Sequence, residues 1–271
     1  MRSSAIVILA TALLAAPTVN AQWAKALHPS VPRTRAGDAN LSAPAPKTRE
    51  RKVDLSGVWL ADRVPLPKEA GLTVEGDLQF PPHFINVTAD IPPEQVPFQP
   101  WAAELFQQRL ASTGDHDPAA HCKPSGLPIL NATPVPLKIV QTPGLVVILY
   151  EENTVFRQIF LDGRKTVEDP EPRFMGYSTG KWDGDELVVD TVGFNDRHRL
   201  DAMGHPISEK LHLTERFRRR DAGHLEIETT IDDPGAYTKP FTYTIKSTLM
   251  PEDDLLEYFC AENEKDAQHY Q

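Results

Sequence analysis

The stretch from residue 176 to residue 231 contains two successive runs of strict apolar/polar alternation, each folded back by a turn signal, and this commits the chain to antiparallel β-structure. In the first run, Gly-Tyr-Ser-Thr-Gly-Lys-Trp reaches Asp183-Gly184 and returns through Asp-Glu-Leu-Val-Val-Asp-Thr. Asp-Gly between alternating runs is a strong hairpin signal. A two-residue turn centred there sets Lys181 opposite Glu186 and Tyr177 opposite Asp190 on a wet face, leaving Gly180, Trp182, Leu187 and Val189 for the buried one. In the second run Leu211, Leu213, Glu215 and Phe217 share a face, and Leu225, Ile227, Thr229 and Ile231 answer them across the turn at 220–223. Glu215 therefore faces the core, because a one-residue slip would bury Lys210, His212 and Arg216 instead.

Further strands are expected at 54–60, 139–140, 145–150, 155–161, 241–249 and 255–260, with connections short enough for antiparallel neighbours. A meander of this kind most simply removes its edges by closing. The expected fold is all-β, an antiparallel up-and-down barrel of about eight or nine strands in one domain over 53–271. Residues 62–137 are proline-dense, with Pro81-Pro82 and Pro92-Pro93, which excludes central strands and marks an insertion. Within it, the apolar spacing behind Pro100 predicts one short helix over 100–110 that plugs a barrel end.

The opening Gly57-Val58-Trp59 is similar to the Gly-x-Trp start of lipocalins, in which the tryptophan closes the barrel floor against an arginine that follows the last strand. Here the only basic residues after Cys260 are Lys265 and His269. More broadly, the strings at 54–59, 139–151, 157–164, 176–196, 211–241 and 255–266 resemble a family of exported bacterial proteins common in acidobacteria and proteobacteria. That resemblance implies export and a lipocalin-like barrel, and it carries over no catalytic residue.

Export is also read from the residues. Arg2, an apolar run over 5–16 and Val19-Asn20-Ala21 have the pattern of a signal peptide over 1–21, placing the product in the periplasm or outside the cell. Residues 22–52, rich in Ala, Pro, Arg and Ser without an apolar period, read as a flexible leader. The only two cysteines, Cys122 and Cys260, are expected to form a disulfide in an oxidising compartment. With 38 acidic against 28 basic side chains, the net charge of −10 opposes nucleic-acid binding, and no later apolar run is long enough for a membrane span. The chain leaves the oligomeric state open.

Three readings share this barrel. The first is a carrier that binds a small, partly apolar molecule in the interior, with Glu215, Arg157 and Tyr243 as polar contacts. The second is an enzyme, a lyase, isomerase or hydrolase, using the same cavity with Glu215 as acid or base and His205 in a loop over the mouth. The third is a structural module whose barrel is filled by side chains. Arg157 is the natural partner of Glu215, although apolar residues on both faces of its strand leave its direction open. His198, His205 and His212 recur every seven residues, but Gly204 and Pro206 exclude a helix that would bring them together, so no metal and no cofactor are expected. His212 alternates outward.

Overall fold

The computed structural model describes residues 31–65, 78–112, 118–258 and 260, and the segment 1–21, expected to be a signal peptide, lies outside them. Its elements are β1 (Gly57–Ala61), β2 (Val64–Pro65), β3 (Gln79–Phe80), α1 (Pro82–Ile85), α2 (Pro100–Ala111), β4 (Leu137–Gln141), β5 (Leu145–Tyr150) and β6 (Phe156–Phe160). There follow β7 (Tyr177–Asp183), β8 (Glu186–Val192), β9 (His212–Arg219), β10 (His224–Asp232) and β11 (Phe241–Leu249). β2 and β3 form a small hairpin, and the other nine strands close into a barrel in the order β1, β11, β10, β9, β8, β7, β6, β5, β4. β1 sits between β4 and β11, which makes residues 62–136 one long excursion between adjacent antiparallel strands.

Strand direction cannot alternate all the way round an odd ring, so at least one neighbouring pair must run parallel. That pair is β6 with β7, and only Ile159↔Ser178 and Phe160↔Thr179 match there. The expectation of uniformly antiparallel neighbours is corrected at this seam. Residues 255–260 add no strand among those described, since β1 already occupies the edges of both β4 and β11.

The first hairpin keeps its expected faces but shifts register by two residues: Asp183 pairs with Glu186, Lys181 with Val188 and Tyr177 with Val192. The cause is the turn, in which Gly184 at φ 62° takes the first central position and Asp185 the second, an arrangement that needs positive φ only at the glycine. Lys181 therefore does not face Glu186. The second hairpin pairs Phe217 with Ile227, Glu215 with Thr229 and Leu213 with Ile231, as alternation predicts.

From residue 31 onward the expected flexible leader is packed chain, closed by turns at 34–37 and 48–51 and bonded to the β9–β10 turn through Ala222 N–H to Ala43 O and Gly223 N–H to Leu41 O. Backbone bonds of this kind leave no apolar period to read. Above this segment Trp59, 1% exposed, closes the floor under the Arg219 guanidinium at 4.9 Å from its ring. The arginine comes from the end of β9, not from beyond the last strand. Arg219 also donates to the Asp54 carbonyl at 2.6 Å; burial lowers its pKa to about 10, against the pull of Asp54 and Asp221.

The opposite end is stopped by the excursion. Residues 125–133 form a continuous buried plug, and α2 packs Phe106 beneath it against Phe98 and His205. The plug is pinned by His198, whose Nε2 lies 2.8 Å from the Leu127 carbonyl oxygen. Gly126, at φ 75°, lies so close to that ring that a Cβ would fall 2.6 Å from His198 Cδ2. The Cys122–Cys260 disulfide, with 5.4 Å between Cα atoms, ties the chain just before the plug to the C-terminal segment.

Candidate functional site

Alternation along β9 carries Glu215 into the barrel at 0% exposure, and β6 turns Arg157 in to meet it while Phe156 points out. Arg157 Nη1 donates to Glu215 Oε1 at 3.2 Å, and Nη2 donates to Oε2. The remaining bonds spread the network: Nε to Ser178 Oγ at 3.0 Å, Nη2 to Thr191 Oγ1 at 2.7 Å, and Asn131 Nδ2 from the plug to Glu215 Oε1 at 2.7 Å. Tyr150 donates its hydroxyl to Asn131 Oδ1 at 2.8 Å. Burial alone would lower the pKa of Arg157, but Glu215 and Tyr150 outweigh it and hold it above its ordinary value. Burial and the Glu215 charge raise that of Tyr150. Four of the five guanidinium N–H groups and both carboxylate oxygens are thus used on each other and their neighbours.

Tyr243, the third member of the expected polar cluster, lies on the same rung two strands away and makes no bond to it. Thr229 is the cross-strand partner of Glu215 on one side and of Tyr243 on the other. Yet among the described residues the Thr229 and Tyr243 hydroxyls are buried with no aligned hydrogen bond, each having only the other's hydroxyl as a near neighbour. A third such atom lies beside them: His83 Nδ1, on a ring whose centroid is 4.8 Å from that of Tyr243. Burial raises the Tyr243 pKa well above 10, helped by Glu215 and Asp201. Burial lowers that of His83, opposed by Asp90 and the Asn86 backbone. Its Nε2 lies 3.5 Å from Asp90 Oδ2.

His83 and Tyr243 line a cleft of about 480 Å³ with Asp62, Asp90, Ala132 and Lys246. The junction of β1 with β11 creates it: β1 pairs with β11 only over Ser247–Leu249, and the segment carrying α1 covers the rest of that edge. A polar deficit of three atoms at an open strand edge is the feature of this molecule that calls most directly for a ligand.

The histidines singled out in the sequence do not converge. His205 lies in its loop but is 1% exposed, stacked on Phe98 and Phe106 at 5.5 and 4.2 Å between centroids, so it does not stand open at a mouth. Its Nδ1 is 2.6 Å from Asp201 Oδ2, in close contact without the alignment of a hydrogen bond, and its Nε2 is 3.2 Å from Thr88 Oγ1. Asp201 in turn accepts the backbone N–H groups of Val87, Gly204 and His205, which fastens the excursion to the loop. His198 holds the plug, and His212 lies half exposed against Asp190 at 3.1 Å. Among the described residues no three His, Cys, Asp or Glu side chains form a metal-ligand group, and no helix is long and apolar enough to cross a membrane.

Sequence reasoning passed over His83, Thr229 and Asn131. His83 follows Pro81-Pro82 in irregular chain, where no period shows which way a side chain points. Thr229 was on the inward face, and an inward hydroxyl opposite another polar residue was a usable signal. Taken together, fold and site define a closed, plugged β-barrel with a polar side cleft. No protein-family model matches the chain, and neither a curated protein nor a solved structure does.

Proposed function

We propose that this chain is an exported, lipocalin-like barrel that binds a small, partly apolar molecule bearing a hydroxyl group, seated in the cleft at the β1–β11 seam. The single observation that carries the reading is the group of three buried polar atoms with no aligned hydrogen bond among the described residues, His83 Nδ1, Thr229 Oγ1 and Tyr243 Oη, beside that cleft. Leaving such atoms unpaired costs about 1–3 kcal/mol each, which a ligand recovers on binding. With the His83 proton on Nε2, Nδ1 takes a hydrogen bond and Tyr243 gives one, and a single ligand hydroxyl meets both. Val64, Pro81 and Ile245 provide the apolar wall for the rest of the molecule. The barrel axis is a poorer seat, because Trp59, Ile148, Leu187, Phe217 and Ile227 fill it with apolar side chains and the plug stops its end. The disulfide and the tryptophan floor support the exported, lipocalin-like assignment.

The test is a calorimetric titration of fused-ring alcohols against their deoxy analogues. The alcohol is expected to bind about tenfold more tightly, the worth of one good hydrogen bond, and Tyr243→Phe is expected to abolish that preference. Equal affinity for alcohol and hydrocarbon, or an unchanged preference in Tyr243→Phe, rejects the reading. Acid/base chemistry in the same cleft is favoured by the His83 ring at its wall, and it requires the bound alcohol to change. Mass spectrometry of the recovered ligand decides, and unchanged alcohol rejects it.

A further inference from the structure

The parallel seam between β6 and β7 opens a second cleft, of about 430 Å³, which is independent of the first. With only two matched residue pairs the strands splay, and the gap is lined by Phe156, Phe160, Tyr177, Phe174 and Met175 together with Arg173. Phe156 is 59% exposed, the highest value among the exposed large apolar side chains, at a position where alternation forces it away from the core. An aromatic surface this open needs an occupant or a cover.

The charge of the cleft narrows the choice. Arg157 forms part of its base, but its donors are taken by Glu215, Ser178 and Thr191. Arg164 lies on the Phe160 face at 3.7 Å, and its guanidinium is already bound to Asp162. Arg173 differs from both. It is exposed, its guanidinium lies 5.0 Å from the centre of the Tyr177 ring, and among the described residues its side chain makes no hydrogen bond or ion pair. The cleft thus offers one unspent planar fork beside aromatic faces.

We infer that this cleft binds a planar aromatic carboxylate, its ring stacked among Phe156, Phe160 and Tyr177 and its carboxylate paired with Arg173. The guanidinium fork matches a carboxylate in bidentate fashion, and its stacking on Tyr177 presets the plane in which the ligand lies. A single free cation suits one negative charge, while a chain of net charge −10 repels a polyanion. The Gln158 side chain at the cleft wall supplies a further N–H donor.

The experiment titrates 2-naphthoate into the parent protein and follows the fluorescence of the probe, with 2-methylnaphthalene as the uncharged comparator. Saturable one-to-one binding of naphthoate is expected, weakened about tenfold or more in Arg173→Met and severalfold in Phe156→Ala. Both residues are exposed, so an unchanged thermal midpoint confirms that the variants are folded. Tyr243→Phe is expected to leave naphthoate binding unaltered, which separates this cleft from the first. Failure of naphthoate to saturate, equal binding by Arg173→Met and parent, or equal binding of the uncharged comparator overturns the proposal.

Discussion

Glu215, Thr229 and Tyr243 lie side by side on one rung of the barrel wall, on three adjacent strands and all facing inward, yet the two ends of that rung have opposite hydrogen-bond accounts. At the Glu215 end both carboxylate oxygens and four of the five guanidinium N–H groups meet partners, from four different parts of the chain: Arg157, Asn131, Ser178 and Thr191. At the Tyr243 end two hydroxyls and an imidazole nitrogen make no aligned hydrogen bond among the described residues. Burial is the same at both ends, so burial cannot tell a fastening from a binding site. What separates them is saturation: a closed network holds the barrel and its plug together, and an open one leaves free energy for a visitor.

The largest effect is expected where the account is closed. Glu215→Ala or Arg157→Ala leaves one charge buried without its counterion, and each should cost about 3–5 kcal/mol of stability in denaturant unfolding. Glu215→Leu combined with Arg157→Met removes both charges and should cost far less than the two single losses added together. Additive losses would mean that the pair is not a coupled unit, and the contrast along the rung would collapse.

The next effect concerns the plug that delivers Asn131 to Glu215. His198 is buried neutral, and burial lowers its pKa to about 4 against an ordinary 6.5. Between those values the unfolded chain takes up a proton that the folded one refuses, so stability is fully present above pH 6.5 and falls as the pH drops toward 4. The loss amounts to roughly 3 kcal/mol from this group. His83, whose pKa burial also lowers, adds a contribution of the same sign. His198→Gln, which keeps an N–H for the Leu127 carbonyl, should flatten the acid limb of the stability profile. If parent and variant lose stability in parallel between pH 6.5 and 4, His198 is not the group responsible.

The closed end of the rung was more legible in the sequence than the open end, and the reason is periodicity. Leu211, Leu213 and Phe217 place Glu215 without any structure, and Tyr243 follows in the same way from Phe241 and Ile245. Arg157 was half legible, because Phe156, Phe160 and Ile159 put apolar side chains on both faces of β6, and only the splayed parallel seam explains why two phenylalanines face outward. The parallel pair itself follows from a count of nine, but a spurious strand at 255–260 left that count unsettled. Asn131 and His83 could not be placed at all. Both sit in the proline-dense excursion, where direction is set by contacts with sequence-distant strands and not by local repeat. His205 shows the same limit in depth, since a loop position says nothing of the two phenylalanines that bury it.

The smallest expected effect tests the comparison most directly, because the same chemical change is made at both ends. Tyr150→Phe removes a hydroxyl from the closed network and strands Asn131 Oδ1, so it should cost about 1–2 kcal/mol. Tyr243→Phe removes a hydroxyl that makes no aligned hydrogen bond among the described residues and has only Thr229 beside it. Its folded state is relieved of a desolvated dipole while its unfolded state gives up only hydration, so the ligand-free protein should gain up to about 1 kcal/mol. Opposite signs in chemical unfolding, measured with no alcohol present, are the result expected if the Tyr243 end is kept open for binding. A loss at Tyr243 equal to that at Tyr150 would mean that the hydroxyl is satisfied in solution, by water or by Thr229. The cleft would then have lost the deficit that marks it as a site.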